Sequence, residues 1–248
     1  MQKWLQEPKT IPQTTPLKSK PESGKTFVWL KCADVNQCSD LADGFKAAIA
    51  AIGWNYKELS YKSADPATLV TAMKQALDFK PVAVGLTGLP RAVWESAVPD
   101  YKAAGVKIVT GYLGPTQYDD TVIGQVGGPK DVNEYGQIIG NWVVADSNGA
   151  ANILLQEVND FPILKDYVTG FKDVVSKNCP NCKVTELNNT IPQVGGGQIV
   201  PAMIAAMQKD RNIKYVSTVN GPFVTGLPAA LQAAGLTNVK ICGESGDV

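Results

Sequence analysis

Two short words recur along this chain in the same order. Asp43-Gly44-Phe45-Lys46 returns as Thr169-Gly170-Phe171-Lys172, and Ala103-Ala104-Gly105-Val106-Lys107-Ile108 returns as Ala233-Ala234-Gly235 followed by Val239-Lys240-Ile241. Each half thus opens on a helix bearing Gly-Phe-Lys and closes on a helix, a glycine and a strand bearing Val-Lys-Ile. One match of this length carries little weight. Two in the same order at similar spacing point to duplication of a supersecondary unit. The chain must then fold as two similar lobes.

The pattern inside each copy sets the class. Residues 26–31 are apolar, β-branched and aromatic, the signature of a buried strand. Residues 32–40 are polar and turn-forming. A helix is expected from Leu41, with Leu41, Phe45, Ala48, Ile49 and Ile52 on one face, Ser39 as its cap, Asp40 and Asp43 near its positive end, and Gly53 as its stop. Further strands are expected over 56–61, 81–86, 106–110, 122–126, 151–156, 184–187, 215–219 and 239–243. Helices are expected over 65–79, 92–104, 131–147, 163–176, 198–209 and 228–234. Strands alternating with helices of this length imply right-handed βαβ units. The reading is an α/β protein of two similar doubly wound parallel-sheet lobes, residues 25–113 and 114–248, behind an extended lead over 1–24 that holds four prolines.

Composition excludes several functions. Lysine plus arginine equals aspartate plus glutamate, 23 each, so no basic face for nucleic acid is indicated. The chain has no histidine, which removes a histidine general base, a Ser-His-Asp triad and any histidine-containing zinc site. No G-x-S-x-G elbow or dinucleotide fingerprint occurs. Gly195-Gly196-Gly197 lacks the phosphate-loop pattern and reads as a turn, and Asp119-Asp120 read as solvated loop carboxylates. No apolar run approaches the roughly 20 residues of a membrane span. Nothing supports catalysis or a cofactor.

Polar residues gather after the strands, where parallel α/β sheets bind ligands. In the first lobe these are Asp34, Asn36 and Gln37, then Thr87 and Arg91, then Tyr112. In the second they are Asn159, Asp160 and Phe161, then Gln193, Asn220, and Ser245 with Asp247. Each alone could be a turn or capping residue; together they outline a cleft between lobes. The five cysteines include two close pairs, 32/38 and 179/182. These admit two local disulfides, free buried thiols, or a zinc site that would need two distant loops to converge. Cys242 reads as a core residue of a strand.

At this point the chain resembles the type I periplasmic sugar-binding proteins, the family of ribose-binding protein and of the effector domains of lac-repressor-like regulators. The resemblance covers residues 26–247. It rests on the two-lobe order, the helix D-G-F-K-A-A-I-A-A-I-G-W, A-G-V-K-I-V-T, the second G-F-K, V-N-G after a strand and K-I-C-G-E-S near the end. It implies an exported solute-binding protein, its signal peptide removed, that delivers a small molecule to an ABC permease. An anchoring lipid upstream and a chemoreceptor link also belong to the family's range. A regulator would need a helix-turn-helix, which the Pro-rich lead does not offer. The resemblance also implies further elements after the last strand, so the second lobe is expected to be truncated. In an exported chain, Cys32–Cys38 and Cys179–Cys182 are expected to be disulfides.

The departures from the family pattern concern the ligand. Its Asp-Arg pair after the fourth strand is replaced by Tyr112-Leu113, an arginine at the first helix of the second lobe by Tyr167, Asn-Asp by Asn220-Gly221, and Gly-x-Asp by Gly243-Glu244-Ser245. The first loop, where an aromatic residue often stacks on the sugar, reads Val35-Asn36-Gln37-Cys38. Only Asn220 is kept. With Phe161 and Phe223 in neighbouring loops, the expected ligand is uncharged and partly apolar or aromatic, or a modified sugar, over ribose or glucose. Asn36, Asp160 and Asn220 are expected to make its polar contacts.

Overall fold

The computed structural model describes residues 15–33, 37–115 and 118–244, without the side chains of Gln37 and Asp40. In the first lobe, strands β1 (Thr26–Cys32), β2 (Asn55–Tyr61), β3 (Ala83–Thr87), β4 (Lys107–Gly111) and β5 (Val122–Val126) form one parallel sheet in the order β2-β1-β3-β4-β5. Its helices are α1 (Gln37–Ala51), α2 (Ala67–Asp78), α3 (Arg91–Trp94) and α4 (Val98–Ala104). In the second lobe, β6 (Asn152–Val158), β7 (Lys183–Asn189), β8 (Tyr215–Thr218) and β9 (Lys240–Gly243) form a parallel sheet in the order β7-β6-β8-β9. Its helices are α5 (Pro129–Asp146), α6 (Leu164–Asn178), α7 (Ile191–Gly195), α8 (Ile199–Lys209) and α9 (Leu227–Ala233). Two parallel-sheet α/β lobes are therefore present, as the duplicated words require.

The repeated Gly-Phe-Lys does different work in each lobe. In α1 the ring of Phe45 stacks 4.2 Å from that of Trp29. Trp29 is fully buried and lies across Gly85, where an added Cβ would come within 2.5 Å of its ring. Burying an aromatic ring of this size stabilises by roughly 1.5–3 kcal/mol. Gly44, one position earlier, faces open space. In α6 the matching Gly170 is pressed against α5: a Cβ there would lie 2.1 Å from the Asn133 carbonyl oxygen. Gly136 of α5 answers it, its missing Cβ 2.0 Å from the Tyr167 carbonyl oxygen. Glycine at both contacts lets the two backbones approach more closely than any side chain would permit.

Several boundaries differ from the expectation. Val122–Val126 was expected to open the second lobe, yet it pairs with β4 at the edge of the first sheet. The chain passes to the second lobe only after it, through Gly127 and Gly128. Helix α1 starts at Gln37, so Ser39 lies inside it and does not cap it. Ala42 is buried and Ala48 is exposed. The single helix expected over 92–104 is broken into α3, a 3-10 turn at Glu95–Ala97, and α4. Pro99, which lacks an N–H, sits in the first turn of α4, where that donor is not needed. The lead segment has no helix or strand over residues 15–25, and the Trp54 indole donates to the Glu22 carbonyl (2.9 Å).

Candidate functional site

Because all the strands of each lobe run in one direction, their C-terminal ends collect along one edge. Those two edges face each other. Cys32 ends β1, Thr87 ends β3 and Tyr112 follows β4. Phe161 follows β6, Asn220 and Phe223 follow β8, and Glu244 follows β9. All of them line one cleft. Ser63 and Gly88 join them from the first lobe. Leu41, Cys38, Val132, Ile163 and Leu164 complete an extensive apolar wall. Phe161 and Phe223 stack with ring centres 6.3 Å apart, so the second lobe offers a continuous aromatic surface.

The polar groups of the cleft are few, and several are already engaged. The Thr87 hydroxyl donates to the Gly111 carbonyl at 2.5 Å, and its own carbonyl accepts the Tyr61 hydroxyl. Beneath the second-lobe floor the Thr218 hydroxyl donates to Gln156 Oε1 (2.8 Å) and accepts the Asn220 N–H (3.3 Å). Gln156 Nε2 in turn donates to Asn189 Oδ1 (3.3 Å). This fully buried chain of partners fixes the backbone that presents Asn220.

Tyr112 holds a special place. Its φ is +49°, a left-handed backbone that costs a side-chain-bearing residue energy and concentrates at functional positions. Its ring occupies the space a Cβ on Gly127 would need, 2.8 Å away, and Gly127 itself has φ +65°. Burial, with Tyr135 and Glu244 nearby, pushes the Tyr112 hydroxyl up to about 12. It is therefore a neutral donor at physiological pH. Tyr112 also borders a second, open hollow shared with Tyr135, Ile138, Ile139, Gly243 and Glu244.

The structure divides the candidate residues three ways. Thr87, Tyr112, Phe161, Asn220 and Phe223 come together in the cleft. Arg91, Asn159, Asp160, Tyr167 and Gln193 do not line it. Arg91 pairs with Glu95 (2.5 Å) and Asp119 (3.2 Å). Asp160 accepts the Ile191 N–H at the start of α7 (2.9 Å), Gln193 accepts the Thr190 N–H (2.8 Å), and the Asn159 N–H donates to Asn188 (3.1 Å). These three organise the loops behind the cleft. Tyr167 is a core residue, fully buried, stacked on Phe171 and hydrogen-bonded to the Ser217 hydroxyl (2.9 Å). Asp34, Asn36, Ser245, Asp247 and the Gln37 side chain lie outside the described residues. Sequence reasoning passed over Ser63 and Glu244, which are polar, and the aliphatic Leu41, Val132, Ile163 and Leu164, which carry no local mark separating cleft from core.

The cysteines form two bridges, Cys32–Cys38 with Cα atoms 5.7 Å apart and Cys179–Cys182 with Cα atoms 5.3 Å apart. They lie in different lobes, so the zinc alternative, which needs all four together, is not built. Cys242 stays a thiol, pushed up to about 12 by burial. Among the described residues, no helix is long and apolar enough to cross a membrane.

A two-lobe α/β protein with a cleft between the strand ends, walled by side chains of both lobes, is a protein built to enclose a small molecule. Residues 28–247 match the family described as periplasmic binding protein domain, and the chain belongs to that family, whose members bind and transport solutes. Among curated proteins none matches. Among solved structures, an ABC transporter solute-binding protein from Mycobacterium smegmatis with bound glycerol is similar at TM-score 0.75 and 19% identity, covering 88% of this chain and 74% of that one. A 5-methylthioribose transporter solute-binding protein from Thermotoga lettingae is similar at TM-score 0.74 and 17% identity, covering 88% and 68%. A Mycobacterium smegmatis protein in complex with β-D-fucofuranose is similar at TM-score 0.72 and 23% identity, covering 89% and 73%. At these identities the likeness concerns the fold.

Proposed function

We propose that this chain is the extracytoplasmic ligand-capturing subunit of an ABC importer, and that its ligand is an uncharged small molecule with a substantial apolar portion, such as an alkyl- or aryl-substituted sugar. The observation that carries this reading is the chemistry of the cleft wall. A simple aldose needs a partner for each buried hydroxyl, since an unpaired one costs about 1–3 kcal/mol. Here the Phe161–Phe223 pair, Leu41, Val132, Ile163 and Leu164 offer apolar surface, and the Thr87 hydroxyl is spent on Gly111. Tyr112 and Asn220 stand on either side of the cleft as orienting polar groups, with Ser63 and Glu244 the other polar side chains on its wall. The similarly folded 5-methylthioribose protein is a precedent for a sugar with an apolar substituent. Two disulfides suit an oxidising compartment outside the cytoplasm.

Ligand capture then proceeds by hinge closure of the lobes about Gly127 and Gly128. The test is a thermal-shift screen with 5-methylthioribose, alkyl and aryl glycosides and the free sugars ribose, galactose and glucose, with calorimetry on hits and X-ray scattering with and without the best hit. Apolar-substituted sugars are expected to raise the melting temperature and reduce the radius of gyration. Micromolar binding of a free aldose, unaffected by Tyr112→Ala, would overturn the ligand class.

A further inference from the structure

The two disulfides sit at opposite poles of their helices. Cys38 is the second residue of α1, at its N-terminus, and Cys179 closes the C-terminus of α6. Both helices have 15 residues, long enough for an appreciable dipole. The N-terminal end carries about half a positive charge and the C-terminal end about half a negative one. A thiolate at position 38 is therefore stabilised, and one at position 179 is opposed. Thiols at helix N-termini can fall several units below their ordinary value of about 8.5, and a thiol of lower pKa leaves a disulfide faster.

Location also separates the two bridges, although Cys182 is only half-buried while Cys32 and Cys38 are both buried. Cys32 and Cys38 are only 3% and 5% exposed, yet both line the cleft, so a reagent meets them from the ligand's side. Cys179–Cys182 lies in the turn between α6 and β7, at the N-terminal edge of the second sheet, away from the cleft. It is anchored there by the Ala151 N–H, which donates to Cys182 Sγ (3.2 Å), and by the Cys182 N–H, which donates to the Cys179 carbonyl (3.0 Å). The first bridge ties the end of β1 to the start of α1, and both of its cysteines stand on the cleft wall. The second ties a helix end to the strand that follows it.

We propose that the Cys32–Cys38 bridge is a redox latch on the ligand cleft, opened by a dithiol reductant under conditions that leave Cys179–Cys182 intact. A reductant thiolate attacks Cys32 Sγ, the Cys32–Cys38 bond breaks, and its electron pair passes to Cys38 Sγ at the head of α1. The second reductant thiol, on losing its proton, attacks the reductant sulfur of the mixed disulfide and displaces Cys32. The dithiol ends as a cyclic disulfide, and two electrons and two protons have passed to Cys32 and Cys38. Opening frees the start of α1 from β1 and loosens one wall of the cleft. The consequence for binding rests on the cleft being the ligand site; the order of opening and the local loosening do not.

The test therefore uses no ligand. The intact protein is equilibrated anaerobically in stepped ratios of reduced to oxidised dithiothreitol, quenched in acid and alkylated with iodoacetamide, and its peptides are mass-mapped. Cys32 and Cys38 should carry label at a ratio at least tenfold less reducing than Cys179 and Cys182 require. At that ratio, amide hydrogen exchange over residues 33–45 should accelerate at least tenfold while β6 and α6 stay unchanged. Opening of Cys179–Cys182 first, opening of both bridges at one ratio, or unchanged exchange over residues 33–45 with the first bridge open would each overturn the latch.

Discussion

The duplicated glycines permit a matched pair of substitutions with opposite signs. Gly44 and Gly170 occupy the same place in the repeated word, each inside a 15-residue helix. Alanine at 44 meets nothing within 4 Å, so Gly44→Ala should stabilise by the helix-propensity difference, about 0.8–1 kcal/mol. Alanine at 170 gains the same propensity but places its Cβ 2.1 Å from the Asn133 carbonyl oxygen and 3.0 Å from its carbonyl carbon. Both atoms are helix backbone and cannot turn aside, so α5 and α6 must part by about an ångström. Overpacking of this kind costs roughly 1–3 kcal/mol or more, which outweighs the gain. With about 2–4 °C per kcal/mol for a chain of this size, Gly44→Ala should raise the melting temperature by about 2–4 °C and Gly170→Ala should lower it by several degrees. Scanning calorimetry of the two variants beside the parent decides the matter. A Gly170→Ala protein at or above the parent's melting temperature would show that the close α5–α6 approach is not what fixes glycine there.

Three further outcomes are expected. Phe161→Ala and Phe223→Ala should each weaken the ligand found by screening by about 1–3 kcal/mol, the scale of a lost aromatic anchor, by calorimetry; unchanged affinity in both would place the ligand elsewhere. Tyr167→Phe removes only the hydroxyl bonded to Ser217, so it should cost about 0.5–1.5 kcal/mol of stability in denaturant titration and leave affinity unaltered. Burial, with Glu186 alongside, raises the Glu157 carboxyl above its ordinary 4.5. A raised acid binds its proton more tightly in the folded state, so its stabilising contribution is full at low pH and is lost as pH climbs from the ordinary value through the raised one. The melting temperature of Glu157→Gln should therefore gain on the parent over that interval and then run parallel to it; a constant difference from pH 4 to 8 would contradict this.

The architecture was legible because two periods dominate it. Alternation of short apolar runs with helical stripes located the strands to within two residues at most ends, and the Gly-Phe-Lys words announced two lobes. Legibility failed where a local signal had two meanings. The polar stretch over 32–40 looks like a loop, but a bridge holds Cys38 in the core and draws the helix start back to Gln37. The family pattern points to Tyr167 as a cleft residue. Its spacing to Phe171 and Val174 already put it on the buried stripe of α6. Arg91 had its partner Glu95 one helical turn away in sequence. Aliphatic cleft residues such as Ile163 and Leu164 differ from core only in what lies opposite them, and that is a property of two lobes together.

Among the described residues the chain crosses between the lobes once, beside Gly127, and the ring of Tyr112 fills the space a side chain there would take. In the proposed hinge, the pivot and a wall of the cleft are thus the same few atoms. A substitution that reshapes one inevitably reshapes the other. A lineage descending from this protein could not trade one cargo for another at position 112 while keeping its angle of closure. Changes of preference should instead accumulate on the far wall, at Phe161 and Phe223, where the swing of the lobes is left alone.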